Sequence, residues 1–254
     1  MPVFAGLDLA WTRGRPTGFC ILRGDTSGVH LEGIETTVAS PTAFAQLLAA
    51  LDDTVYAAID APLIISPERR AEALLARSYG RAKAYAYQVS RDWLARNDAL
   101  AGPQLAEALA ARGFVHTIPP EPQACGRFML EVFPHATHVA LFGLAERLKY
   151  KRGPLAARRD VMAVYQRELA CLLDGTLQAV ASDPRVQNLL DPSAIPSAGR
   201  ELKSLEDQLD ALTCVIAAHH AWQHGPAGLE AFGTTEHGQI TVPLPVDAFV
   251  NRES

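Results

Sequence analysis

Cysteine is sparse in this chain and never clustered: Cys20, Cys125, Cys171 and Cys214 lie far apart with no C-x-x-C pair. That spacing argues against a zinc ribbon or a dense disulfide framework and leaves them as small core residues. No stretch reaches the roughly 20 apolar residues of a membrane span, and no basic segment precedes the apolar run in MPVFAGLDLAW. A cytoplasmic protein without a membrane partner is the expectation. Gly6, Gly14 and Gly18 do not make a phosphate loop of the G-x-x-x-x-G-K type. Internal repeats and low-complexity tracts are missing as well. There is also no excess of positive charge. The net charge is −5 and the pI about 5.9, so the molecule as a whole lacks the electrostatic footprint of a general nucleic-acid binder.

What the chain does have is an ordinary globular balance, 48% hydrophobic and 20% charged over 254 residues, enough for one generous domain. Residues 3–10, 17–23 and 29–36 read as three strands, separated by the turn-forming TRGRPT and GDTSG, which favours an antiparallel meander. Residues 41–52 follow as a helix: Ser40 is a natural N-cap, Pro41 takes the first helical position, and Phe44, Leu47, Leu48 and Leu51 repeat at helical spacing. A strand at 55–60 comes next. A strand, a crossover helix and a strand make a right-handed parallel unit, so the strand bearing Asp60 is expected beside one of the first three. Residues 67–97, opened by Ser66 and Pro67, read as one or two helices and 103–112 as another. Residues 129–136 form a fifth strand ended by Pro134, and 155–174 a helix. Pro184, Pro192 and Pro196 make 182–201 irregular, a long helix runs from Ser204 to His224, and a hairpin around His237 and Gly238 closes the chain. The expectation is a single domain over 1–254, with a mainly helical insertion around 67–125 and a hairpin around 228–245. This order is that of the RNase H-like fold, an α/β mixed sheet flanked by helices.

Three aspartates sit where a carboxylate is costly: Asp8 in VFAGLDLAW, Asp60 in VYAAIDAPLII and Asp210 in LDALTCVIAAHHAW. Each is the only carboxylate in an apolar run, and burial of a charge demands a partner or a metal. Asp207 and Asp210 are three apart, hence on one helical face. Ala211, Cys214 and Ala218 on the same side are small enough to let that helix approach a sheet closely. Carboxylates that converge repel one another, and a divalent cation relieves the repulsion. Hard oxygen ligands of this kind suit Mg²⁺ or Mn²⁺.

GLDLAW, AIDAPL, LEVFPHA and KSLEDQLDAL together resemble an uncharacterised domain family described as predicted nucleases of RNase H fold, over nearly the whole chain. The aspartate pair three apart on a last helix also resembles Holliday-junction resolvases, whose second acid is commonly Glu where this chain has Asp60. The resemblance implies that Asp8, Asp60, Asp207 and Asp210 are the metal-binding acids, with Glu131 a family-motif residue. The expected activity is metal-dependent hydrolysis of a phosphodiester, with Asp8 bridging two Mg²⁺ ions, Asp60 and Asp210 completing one sphere each, and Asp207 or Glu131 orienting the attacking water.

Two basic stretches, 69–96 and 147–159, hold over half of the 23 lysines and arginines. Arg69, Arg70 and Lys203 are candidate contacts to a DNA or RNA backbone, and Tyr79, Tyr85, Tyr87, Trp93 and Tyr150 are candidates to stack on bases. The plainer readings stand beside these. Asp8 and Asp60 also suit turn caps, Asp207 a first-turn acid, and Glu131 a partner for an arginine such as Arg127. His135 and His138 have helical spacing but no third soft ligand for zinc. Rival functions are an ATP-dependent phosphotransferase of the actin-like fold, which generally duplicates its core, and a non-catalytic binding module that keeps a structural cation.

Overall fold

The computed structural model describes residues 1–250. Strands β1 (Val3–Asp8), β2 (Thr17–Asp25) and β3 (Gly28–Thr37) form the expected antiparallel meander. Helix α1 (Pro41–Ala49) starts as its sequence dictates, with the Ser40 hydroxyl accepting from the Ala43 amide and Pro41 in the first turn. It carries the chain over to β4 (Val55–Ile59), which pairs parallel with β1. Helices α2 (Ala71–Tyr79), α3 (Arg91–Arg96) and α4 (Ala101–Ala110) precede the short β5 (Val115–His116) and then β6 (Arg127–Val132), which lies parallel to β4. Helices α5 (Pro134–Leu141), α6 (Leu155–Thr176), α7 (Gln178–Ala181) and α8 (Pro184–Leu189) lead into α9 (Gly199–His224). The hairpin of β7 (Leu229–Thr234) and β8 (Gly238–Pro243) adds to the far edge, and α10 (Val246–Val250) follows. The eight-stranded mixed sheet has the order β3-β2-β1-β4-β6-β8-β7, with β5 paired to β6. No helix among the described residues is long and apolar enough to cross a membrane.

The pleat divides the core in two. Val3, Ala5 and Leu7 of β1, with Ala57 and Ile59 of β4 and Met129 of β6, pack under α1 and α4. Phe4 of β1, Cys20 and Leu22 of β2, Tyr56 and Ala58 of β4 and Leu130 of β6 face α9, with α6 beyond it. Because side chains alternate across a strand, Asp8 continues the Phe4 and Gly6 row and Asp60 the Tyr56 and Ala58 row. Both therefore project toward α9.

Helix α9 sits unusually close to the sheet, and glycines on the strands make the room. A Cβ on Gly6 would stand 2.2 Å from the Ala211 carbonyl oxygen and 2.3 Å from the Val215 amide nitrogen, and one on Gly18 would stand 1.9 Å from the Asp207 carbonyl oxygen. Ala211, Cys214 and Ala218 are wholly buried, so small residues line both sides of the contact. Contacts this close return dispersion energy only because no side chain intervenes.

Several boundaries differ from the expectation for physical reasons. Residues 67–70 are not helical: the Arg69 amide donates to the Ser66 carbonyl in a turn, and its guanidinium is drawn into the interior. Pro134 ends β6 but also opens α5, taking the first-turn position where proline is tolerated. The region 182–201 is not wholly irregular, since Asp183 caps α8 by accepting from the Arg185 amide and Pro184 begins it. Helix α9 begins five residues before Ser204, at Gly199, which moves Asp207 out of the first turn and removes the helix dipole as its explanation. Helix α4, within the expected helical insertion, packs beneath the sheet with α1.

Candidate metal centre and its cleft

β1 and β4 run parallel with Leu7 opposite Ile59, and the Asp60 amide donates to the Leu7 carbonyl at 2.8 Å. One step further along, Asp8 and Asp60 stand side by side at the carboxyl ends of neighbouring parallel strands, on the face covered by α9. Asp210 descends from the helix to meet them. One carboxylate oxygen from each of Asp8, Asp60 and Asp210 lies within 4.8 Å of the other two.

Burial pushes the Asp8 carboxyl well above its ordinary range; Lys151 opposes this, and the charges of Asp210 and Asp60 add to it. Burial raises Asp60 as well, to about 6, against the pull of Lys151. Asp210 ends below the usual range. Burial works to raise it, but the Lys151 charge and hydrogen bonds from Lys151 and Tyr150 outweigh burial and hold it ionised. Lys151 Nζ lies 2.7 Å from Asp210 Oδ2 and 3.8 Å from Asp60 Oδ2. Burial lowers the Lys151 ammonium, yet the three aspartates raise it well above its normal value. One lysine thus faces three carboxylates, and the two less favoured carboxyls hold protons to higher pH than an ordinary carboxylate. Such a donor set, all hard oxygens with excess negative charge, fits a divalent cation of the Mg²⁺ or Mn²⁺ class.

A second layer fixes Asp210. Tyr150 donates to Asp210 Oδ1 at 2.7 Å and Tyr165 to the same oxygen at 3.0 Å. Both phenols are pushed well above their normal range, by burial first and by the Asp210 charge second, so they remain donors. His138 Nε2 lies 2.8 Å from the Tyr165 hydroxyl and 3.2 Å from Thr213 Oγ1. Burial lowers His138 to about 3, and a neutral ring with its proton on Nε2 satisfies this network while leaving the Tyr165 proton for Asp210. Neither Lys151 nor the Tyr165, His138 and Thr213 chain was identifiable from sequence as part of the site. Tyr150, a base-stacking candidate by its sequence, is fully buried. The one available signal was a general one, that a buried tyrosine hydroxyl needs a partner.

The other expected site residues are placed elsewhere. Asp207 is buried on α9, but its carboxylate pairs with Lys203 four residues before it and is outside the trio. Lys203 also holds Glu206 at 2.7 Å, while Arg158 reaches that same carboxylate at 3.1 Å. Glu131 sits opposite Ile59 in the parallel register, so it projects to the face of the sheet away from the trio. There it forms a two-pronged ion pair with Arg69, at 2.5 and 3.1 Å, and accepts from the Leu63 amide at 2.9 Å. Burial raises Glu131 to about 7, with Arg69 opposing. Glu131, expected to orient water, and Arg69, expected to hold substrate, thus pair with each other inside the protein, and Arg69 is further occupied by Glu72 at 2.7 Å. The expected partner of Glu131, Arg127, instead donates to the Ala49, Asp52 and Arg112 carbonyls. Arg70 is exposed but is not among the residues lining the cleft over the trio.

That cleft has a volume of about 1630 Å³. Asp8 and Asp60 form part of its floor, with Lys151, Lys203 and His135 around them. His135 is 8% exposed and its Nδ1 has no hydrogen-bond partner among the described residues. Tyr85, Tyr87 and Trp93 line the rim, whereas Tyr79 is packed edge-on against Phe232 and does not reach it.

No curated protein matches the chain in a sequence comparison. A family model matches residues 6–229, a span that includes all three converging aspartates and the lysine against them, and on that match the chain belongs to the family described as protein of unknown function (DUF429).

Proposed function

We propose that this protein is a metal-dependent phosphodiester hydrolase, a nuclease of RNase H-like fold. The observation that carries the proposal is the meeting of Asp8, Asp60 and Asp210, from two adjacent parallel strands and a helix, with their oxygens within 4.8 Å. The meander followed by a crossover helix and a parallel strand supports the fold assignment. So does the placing of two acids at the carboxyl ends of neighbouring strands.

Asp8, Asp60 and Asp210 would hold Mg²⁺ or Mn²⁺. When bound, such an ion lowers the pKa of water and stabilises the charge on the departing oxygen. The chain's own residues do the rest. Tyr150 and Tyr165 lock one oxygen of Asp210 and leave the other directed at Lys151. Lys151, partly exposed on the cleft floor, brings positive charge to where a phosphate would lie. Lys203, 55% exposed across the floor, offers a second cation at the cost of loosening its contacts to Asp207 and Glu206. The acids are held on rigid elements, so little reorganisation is needed at the moment of reaction.

The test is calorimetric titration of Mn²⁺ into the parent protein and Asp8→Asn, alongside cleavage assays on single-stranded, duplex, hybrid and branched substrates. Loss of binding and of metal-dependent cleavage together in Asp8→Asn is the expected result. Equal Mn²⁺ affinity in the two proteins would remove the proposal.

A further inference from the structure

The large aromatic side chains of this protein are mostly buried, with Phe4, Tyr56, Tyr150 and Tyr165 wholly so. Tyr87 at 68%, Trp93 at 46% and Tyr85 at 39% exposure stand apart from them, and all three line the cleft above Asp8 and Asp60. They come from one short segment. A single exposed ring is unremarkable, but three gathered beside a charged floor form a patch that folding leaves without a partner.

The segment is fastened in place. Lys83 pairs with Glu146 at 3.0 Å, the Arg147 amide donates to the Ala82 carbonyl at 2.8 Å, and the Arg147 guanidinium lies 5.7 Å from the Tyr85 ring centre. Ser90 caps α3 by accepting from the Trp93 amide, which fixes the backbone that carries the indole. The ties run to the loop that bears Lys149, Lys151 and Arg152, all of which line the same cleft. Rings and cations therefore share one built wall. Arg200, at the start of α9, faces the cleft as well.

We infer that the cleft takes single-stranded nucleic acid, with unpaired bases stacked on Tyr85, Tyr87 and Trp93 and the backbone held by Lys149, Arg152 and Arg200. This deepens the phosphodiesterase reading and rests on it for the chemistry performed on the strand. A duplex offers phosphates to the cations but hides the faces of its bases, so it leaves the rings unused. An unpaired strand uses both, and stacking accepts any base because every base has a π-face.

The experiment is fluorescence anisotropy in EDTA, so that nothing is cleaved, with labelled strands of about 12 nucleotides, within the usual span of a single-strand site. The probes are oligothymidylate, oligouridylate, an abasic strand of equal length, and a duplex. The base-bearing strand of DNA or RNA is expected to bind more tightly than both the abasic strand and the duplex. Trp93→Ala and Tyr87→Ala should each weaken it by about 5- to 150-fold, the range for loss of one stacking ring, and leave abasic binding unchanged. Trp93→Phe should retain most of the affinity. Both side chains are exposed, and circular dichroism checks that the variants fold. Equal binding of abasic and base-bearing strands, or preference for the duplex, overturns the inference. The phosphodiesterase reading fails separately, by absence of metal-dependent cleavage while base-dependent binding persists.

Discussion

Lys151 places its ammonium 2.7 Å from an oxygen of Asp210, a residue with no solvent exposure, while itself remaining 31% exposed on the cleft floor. The lysine is a tethered counter-ion for a cluster that is otherwise wholly acidic. Lys151→Met should therefore destabilise the metal-free protein by about 1–3 kcal/mol, less than the 3–5 or so of a fully enclosed pair, because Tyr150 and Tyr165 still donate to Asp210. Added Mn²⁺ should restore more of the melting temperature in the variant than it adds to the parent, since the ion takes over the neutralisation. Thermal scans with and without Mn²⁺ read both effects. A variant as stable as the parent in EDTA would mean that protons alone balance the aspartates.

The raised carboxyls of Asp60 and Asp8 set a pH dependence with a definite sign. A carboxyl at about 6 in the folded state and 3.8 otherwise binds protons more readily when folded. This part of the stability is present at low pH and is lost as pH rises through about 6. Asp210, held below the ordinary value, has the opposite sign, but its window lies lower and it stays ionised near neutrality. Because the same protons compete with a cation, Mn²⁺ affinity should rise from pH 5 to pH 7, and the metal-free parent should lose stability relative to Asp60→Asn over the same interval. The buried histidines, which burial lowers, act with the opposite sign but equally on both proteins. Calorimetric titrations and urea midpoints at each pH measure the two trends. A flat affinity across that range would show that the cation binds without displacing protons.

The convergence of Asp8, Asp60 and Asp210 was legible in the sequence because each interrupts an apolar run, and parallel pairing of the strands on either side of a crossover helix follows from chain handedness. Period-2 alternation also carried the facts that separate Glu131 from the others, since Met129 and Glu131 share one face of β6 while Leu130 and Val132 share the other. What it lacked was the register of β6 against β4, which no local pattern supplies. Lys151 was hidden for another reason. It lies in an irregular loop among other basic residues, and only tertiary packing distinguishes the one that reaches the aspartates.

Gly6 and Gly18 are predicted to be intolerant of any side chain. A methyl at either would collide with α9 backbone atoms at 2.2 Å or less, where no rotamer change relieves the contact. Gly6→Ala should cost at least the roughly 1–3 kcal/mol of overpacking, lowering the urea midpoint. It should also weaken Mn²⁺ binding in the protein that still folds, because the helix it displaces carries Asp210. Retention of full metal affinity in a destabilised Gly6→Ala would show that the position of α9 does not govern the site.

Asp60 and Glu131 are both acids on the central strands, yet they should respond oppositely to neutral isosteres. Burial disfavours the Glu131 charge as well, but Glu131→Gln leaves the buried Arg69 guanidinium with only Glu72. A loss of about 3 kcal/mol is therefore expected, with metal affinity unchanged in the folded protein. The lysine beside Asp60, by contrast, is partly exposed and keeps Asp210. Asp60→Asn removes a charge that burial already disfavours. Near neutral pH the variant should match or exceed the parent in stability while losing Mn²⁺ binding. Urea denaturation paired with calorimetry on the two variants separates an acid kept for the fold from one kept against its interest. If Asp60→Asn unfolds as readily as Glu131→Gln, Asp60 is a structural residue and the metal centre loses one of its three walls.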